Sequence, residues 1–152
     1  MPPRRPDPQR LLAALNEQRA ALGQPLQQPG LSGTVLSEAC VAAALAALDT
    51  GQQPQRGVLR VAVRYLLDVL AARAPGRAVE VRVPPFAAAQ CLEGPRHSRG
   101  TPPNVIETGP VTWITLAAGR LTWPEAVAKG LVSASGPRAD LSGYLPLLRS
   151  GR

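Results

Sequence analysis

Near Ala78 the periodicity of the apolar residues changes from that of a helix to that of a strand, and this change limits the fold more than any other feature of the sequence. Upstream of Ala78, apolar residues recur three and four positions apart, the spacing that places them on one face of a helix. From residue 79 to residue 83 the sequence reads VEVRV, in which valine alternates with a charged residue. Such alternation predicts a β-strand with one buried and one wetted side. The chain is therefore predicted to have helices before this point and a strand directly after it.

Three helices are predicted before this point. The first begins at Asp7-Pro8, because an acidic side chain can cap a helix whose first residue is proline. The second runs from about Thr34 to Leu48. The third covers about Gln55 to Ala74 and ends at the Pro-Gly pair that follows.

Further strands are predicted after the alternating segment, over residues 86–93, 104–108 and 131–135. A helix is expected over residues 111–118, and a second, short one opens at Thr122, which forms a capping box with Glu125. The apolar spacing after Asp140 predicts a closing helix, and the proline at position 146 is expected to kink or shorten it.

The length of 152 residues fits a single domain with its own core. Residues 1–6 are expected to be a disordered tail, and residues 7–152 one domain. Within it, residues 7–55 would form a helical N-terminal extension and residues 56–148 the core. Aromatic residues make up only 3% of the chain, so alanine, valine and leucine must supply most of that core.

A net charge of +7 raises the question of nucleic-acid binding. Only Lys129 among the 17 basic residues is a lysine, and arginine, alanine, glycine and proline are enriched together. This composition is typical of a GC-rich genome. The sequence also lacks aromatic residues interleaved with the basic ones, which single-strand binding needs for base stacking, and it has no groove-reading motif. Nucleic acid is therefore an unlikely partner.

A row of arginines suggests a different partner. Arg56, Arg60 and Arg64, followed by Asp68, recur every four residues and share one face of the third helix. We favour a solvated face with an Arg64–Asp68 ion pair of small energetic weight. The alternative is a basic ridge for an acidic protein or a lipid surface.

The two cysteines, Cys40 and Cys91, are about fifty positions apart, with no second cysteine or histidine at metal-ligand spacing. We expect two reduced thiols, no metal and no cofactor. No secretory signal or apolar run of membrane-spanning length is visible, so a cytoplasmic location is expected.

In the segment from Asn104 to Leu148, a predicted strand and helix are followed by a glycine with a basic residue, a short helix, a glycine that opens the next strand, and another glycine after it. The residues at these positions are Gly119-Arg120, Glu125-Ala126 in the short helix, Gly130 and Gly136. In this order the segment resembles the carboxyl-terminal half of the sterol-carrier-protein superfamily, and the whole chain is similar to actinobacterial proteins described as bacterial sterol-carrier orthologues.

The resemblance implies an α+β fold: a mostly antiparallel sheet of four to five strands, covered by helices, with an N-terminal pair or trio of helices. It also implies an apolar tunnel between the sheet and the C-terminal helix, suited to a fatty acid, an acyl-CoA or a sterol-like molecule. Two departures affect the size of that tunnel: residues 137–139 separate the last glycine from Asp140, and one strand fewer than the usual five is visible. The residues expected to line the tunnel are Val81, Phe86, Trp113, Leu116, Leu141, Tyr144, Leu145 and Leu148.

These side chains are also what a closed core needs, so a scaffold acting through protein contacts remains the alternative function. The loop Arg96-His97-Ser98-Arg99 could clamp the phosphate or carboxylate of a ligand headgroup, or it could be a solvated basic loop. Since no catalytic motif accompanies His97, and a nucleophile pair with Cys91 is not expected, the chain is predicted not to be an enzyme.

Overall fold

The computed structural model describes residues 6–94 and 104–148 of the chain. It divides into two compact units, one ending at Tyr65 and the other beginning at Leu66, and α3 contributes residues to both. Within the described ranges there are five helices and four strands. In chain order they are α1 (Pro8–Ala21), α2 (Gly33–Asp49), α3 (Arg56–Arg73), β1 (Val79–Val83), β2 (Ala87–Cys91), β3 (Val105–Thr108), α4 (Pro110–Ala117), α5 (Trp123–Ala128) and β4 (Val132–Ser135).

The first unit is helical, and α1 packs against α2. The predicted cap of α1 is confirmed, because the Asp7 carboxylate accepts a hydrogen bond from the backbone N–H of Gln9 at 3.0 Å. The start of α3 is joined to α1 through the buried Gln18, whose Oε1 accepts from the backbone N–H of Gln55 at 2.7 Å. Alanines supply much of the buried face of α2, as the shortage of aromatic residues required.

The second unit contains the sheet, whose strands lie in the order β2-β1-β3-β4. The outer pairings, β1 with β2 and β3 with β4, are antiparallel, whereas the central pairing of β1 with β3 is parallel. The α+β class and the three helices before the sheet are therefore confirmed. The parallel central pair is a detail that the expectation of a mostly antiparallel sheet did not include.

One face of the sheet is buried and the other is not. Val79, Val81 and Val83 are completely buried, and Ile106, which lies opposite Val81, faces the same side. The opposite face carries charged residues, among them the ion pair between Glu80 and Arg82. The alternation in VEVRV thus predicted which side of this strand enters the core.

The corner between α3 and β1 brings two backbone segments close together. The backbone N–H of Leu92 donates to the carbonyl of Ala74 at 2.8 Å, and that of Ala78 donates to the carbonyl of Leu92 at 3.0 Å. A side chain at Gly76 would overlap this Leu92 carbonyl, and Gly76 has a φ of 146°, so only glycine fits here.

The predicted capping box of α5 is confirmed. Thr122 Oγ1 accepts from the backbone N–H of Glu125 at 3.3 Å, and Glu125 Oε1 accepts from that of Thr122 at 3.1 Å. This local pattern needs no distant contact to form.

The predicted closing helix after Asp140 is wrong, because residues 141–148 form turns. Asp140 caps no helix, and its carboxylate instead accepts from the backbone N–H of Ser142 at 2.8 Å, within a tight turn. Gly143 and Pro146 oppose a helix at this point, since glycine loses the most backbone freedom and proline has no N–H to donate. The apolar residues do have helical spacing, but that spacing does not overcome the effect of Gly143 and Pro146 on the backbone.

The buried side chain of Asn104 joins two separate segments of the second unit. Its Nδ2 donates to the carbonyl of Ala78 at 2.8 Å, and its Oδ1 accepts from the backbone N–H of Arg138 at 2.8 Å. The amide therefore holds the segment after β4 against the start of β1.

Replacing this amide by an apolar group of similar size should destabilise the protein. We expect Asn104→Leu to lower the free energy of unfolding by about 2 kcal/mol or more, because it leaves a carbonyl and an N–H without their partner. Urea unfolding followed by circular dichroism measures the change. Gln90→Ala, at an exposed position on β2, is the control and should change stability by less than about 0.5 kcal/mol. Equal stability of the two variants would contradict the role given to Asn104.

Candidate functional site

Four of the residues expected to line a ligand site lie deep in the second unit. Val81 on β1, Trp113 and Leu116 on α4, and Leu141 in the last segment are each at most 1% exposed. Three separate parts of this unit therefore each contribute buried apolar side chains.

The other four predicted lining residues lie nearer to solvent. Phe86, Leu145 and Leu148 are half-buried, and Tyr144 is 40% exposed. The predicted set is thus divided into an interior part and a partly wetted part, and the last segment contributes to both.

Helix α4 positions the two central residues of the interior. It begins with proline after an extended Gly109, and Thr115 turns its hydroxyl back to the carbonyl of Val111 at 3.0 Å. With that hydroxyl bonded to its own helix, the buried surface of α4 is apolar apart from one indole N–H. The residues buried on α4 are Trp113, Ile114, Leu116 and Ala117.

The last segment is held in place by hydrogen bonds to two helices. The backbone N–H groups of Leu147 and Leu148 both donate to the carbonyl of Ala117, at 2.9 and 3.0 Å. Arg73 at the end of α3 donates from Nη2 to the carbonyl of Leu147 at 2.7 Å, and from Nη1 to that of Pro146 at 3.4 Å. A turn-rich segment takes the place of the expected helix and still buries Leu141 and Leu147.

Several buried apolar residues of this unit were not among the predicted lining residues, and Ile106 and Leu147 are two of them. Ile106 could have been found from the sequence, because it is an apolar residue in a predicted strand and is followed by the charged Glu107. Leu147 could not have been found, because it lies outside the apolar stripe of the closing helix that the sequence predicted, and that helix does not form.

The indole N–H of Trp113 is buried without a hydrogen-bond acceptor among the residues that the structure describes. Burial of an unpaired donor is unfavourable, and most buried polar groups have a partner. The indole Nε1–H of Trp113 is therefore a buried donor to which no described residue offers an acceptor.

The predicted headgroup residues Arg96, His97 and Arg99 lie outside the described residues. The arginine ridge lies inside them: Arg56, Arg60 and Arg64 are exposed on α3. Exposure is what both a solvated face and a docking ridge require, so the partner prediction for this ridge stays a prediction.

Both cysteines are buried as free thiols. Burial raises the pKa of Cys40 to about 11, an effect that the nearby Arg19 partly offsets, and burial raises the pKa of Cys91 to about 11 as well. At neutral pH both are protonated and therefore poor nucleophiles and poor metal ligands. Within residues 6–94 and 104–148, no three histidine, cysteine or acidic residues are grouped so that they could hold a metal ion.

A mixed sheet with one buried face, in a unit whose helices and C-terminal segment also bury apolar residues, is the α+β architecture of a sterol-carrier-like protein. The family model described as bacterial SCP ortholog matches residues 55–147, more than half of the chain, and the chain therefore belongs to that family. The match begins at the start of α3 and leaves α1 and α2 outside. A comparison with curated proteins gives no significant match. In the described parts of the chain, no helix has the length and apolar character needed to span a membrane.

The buried thiols give a prediction about pH. Between pH 9 and 11 the thiols of the unfolded chain lose their protons while those of the folded chain keep them, so stability should fall as the pH rises through this range. The loss should be on the order of 1 kcal/mol per thiol.

Urea unfolding at several pH values should show a shallower decline for the double variant Cys40→Ala/Cys91→Ala, with each protein referred to its own stability at pH 7. Tyr65, whose pKa is raised by burial and by Glu38, is present in both proteins and cancels. An identical decline in the two proteins would show that the thiols are not shielded from solvent.

Proposed function

We propose that this chain binds an apolar small molecule, such as a fatty acid, an acyl-CoA or a sterol-like compound, and does not transform it. The site lies in the unit that begins at Leu66, between the buried face of the sheet and the segment 141–148. A cytoplasmic location is part of the proposal. Membership of the bacterial SCP ortholog family supports the general ligand class.

The observation that carries the proposal is the graded exposure of the last segment. Tyr144 is 40% exposed, Leu145 and Leu148 are half-buried, and Leu141 is fully buried. This range of exposure supports an apolar path from solvent to the interior along a segment that has no regular secondary structure. A few hydrogen bonds to Ala117 and Arg73 hold this segment, so its displacement costs less than the unwinding of a packed helix.

The energetics of such a site are sufficient for useful affinity. Burial of an acyl chain contributes about 0.8 kcal/mol per methylene group, so eight to ten methylenes give roughly 6–8 kcal/mol before association costs. The costs of association reduce this gain, and affinities in the micromolar range are expected.

The absence of catalysis is proposed on the state of the nucleophiles. Both Cys40 and Cys91 are protonated at neutral pH because burial raises their pKa to about 11. Neither thiol is therefore prepared for attack on a bound ligand.

A second function is favoured by a separate observation. Val81, Trp113, Leu116 and Leu141 are already closed off from water, which is also the state of a solid core. In that case the chain would be a scaffold that acts through protein contacts along the exposed arginines of α3. Ligand binding separates the two functions, because a solid core takes up no apolar probe.

Titration with a fluorescent polyene fatty acid tests the first function. The wild-type protein should bind it saturably, and Leu145→Trp should weaken binding by about tenfold or more, because an indole in the apolar path excludes at least two methylene groups. Val127→Trp is the matched control, since it adds the same indole at an exposed position on α5 and should leave binding unchanged.

Absence of saturable binding by the wild-type protein would refute the ligand-binding function and favour the scaffold. Equal binding by a folded Leu145→Trp variant would refute the position given to the site.

A further inference from the structure

The indole of Trp113 deepens the proposed function and rests on it. Trp113 is the largest fully buried side chain among the described residues, and its Nε1–H has no acceptor among them. A phenylalanine at this position would fill most of the same space and bring no donor into the interior. The tryptophan thus adds to the apolar interior a donor that packing alone does not require.

Two other buried polar side chains of this unit, Asn104 and Thr108, have hydrogen-bond partners, in contrast to Trp113. Asn104 uses both its Nδ2 and its Oδ1, as described above. The hydroxyl of Thr108 donates to the carbonyl of Leu131 at 2.8 Å. The indole of Trp113 therefore differs from Asn104 and Thr108, whose buried polar atoms all have partners within the same unit.

The position of Trp113 on α4 connects it to the proposed ligand path. It lies one helical turn before Ala117, whose carbonyl holds the N–H groups of Leu147 and Leu148. The last segment therefore reaches the C-terminal end of the helix that carries Trp113, and a side chain at Gly119, just beyond that end, would meet Pro146. In the proposed function, a ligand that displaces part of this segment enters at this end of α4, on the helix that carries the indole.

We propose that Trp113 Nε1–H donates a hydrogen bond to an oxygen of the bound apolar ligand. The oxygen is the neutral oxygen of a hydroxyl, ketone, ester or thioester. The buried polar side chains of the described residues are Gln18, Ser37, Asn104 and Thr108, and none of them is a cation that could pair with a buried carboxylate. An ionised carboxylate beside Trp113 would remain uncompensated and costly, whereas a neutral oxygen needs only one donor.

A matched pair of probes isolates this hydrogen bond. Decanol and decane differ by one oxygen, and each can be titrated against the fluorescent fatty acid described above. The wild-type protein should bind decanol more tightly than decane, after correction for their different solubilities in water. In Trp113→Phe this preference should fall roughly three- to tenfold, the change expected for one neutral hydrogen bond. Trp123→Phe on α5 is the control and should keep the preference.

A spectroscopic measurement on protein that retains Trp113 gives a second readout. The variant Trp123→Phe has a single tryptophan, so its ¹⁵N–¹H spectrum contains one indole signal. Decanol should move this signal towards the position of a hydrogen-bonded indole, and decane should not. This readout decides the question if Trp113→Phe does not fold.

The possible results separate the inference from the function on which it rests. If the fatty acid and both probes fail to bind, the proposed function and this inference fall together. If they bind but the preference survives in folded Trp113→Phe, or the indole signal responds equally to decane and decanol, the function stands and the role of Trp113 is refuted. Loss of the preference together with a decanol-specific shift supports it.

Discussion

Burial of one face of the sheet is the constraint on which the rest of the second unit depends. Val79, Val81 and Val83 alternate with charged residues, so only one orientation of β1 buries the valines and leaves the charges in water. Each fully buried valine contributes roughly 1.5–3 kcal/mol, and a shift of one residue would reverse the two faces. The parallel pairing with β3 then places Ile106 beside Val81, and the buried side of α4 follows directly in the chain.

The shortage of aromatic residues gives this interior its particular character. The chain has one phenylalanine, two tryptophans and two tyrosines, and of these only Trp113 is completely buried. Small and branched side chains supply the rest of the core, and the last segment reaches it through Leu141 and Leu147. An interior closed by turns instead of a helix can open without loss of a regular element, which is the physical basis of the ligand-binding proposal.

Patterns that depend on neighbouring residues could be predicted from the sequence. The strand β1, the cap of α1 and the capping box of α5 each need only a few adjacent side chains, and the structure contains all three. The closing helix was predicted from apolar spacing, but Gly143 and Pro146 act against it. Local periodicity was therefore the weaker signal there.

Features that join distant parts of the chain could not be predicted. The parallel pairing of β1 with β3, the amide bridge made by Asn104 and the tie from Arg73 to Leu147 depend on tertiary contacts that no local pattern encodes. Four of the eight proposed lining residues are fully buried and four are more exposed, and nothing in the sequence separated the two groups. The unpaired indole of Trp113 also becomes visible only when its surroundings are known.

In the proposed complex, an apolar ligand occupies the side of the sheet that carries the valines. Methyl NMR of the protein with a spin-labelled fatty acid distinguishes the two sides of the sheet, because Val105 and Ile106 are adjacent in β3 but lie on opposite faces. We expect strong broadening of the methyl signals of Ile106 and Leu116 and little change at Val105. Broadening at Val105 alone, or no broadening at either face, would contradict this position of the ligand.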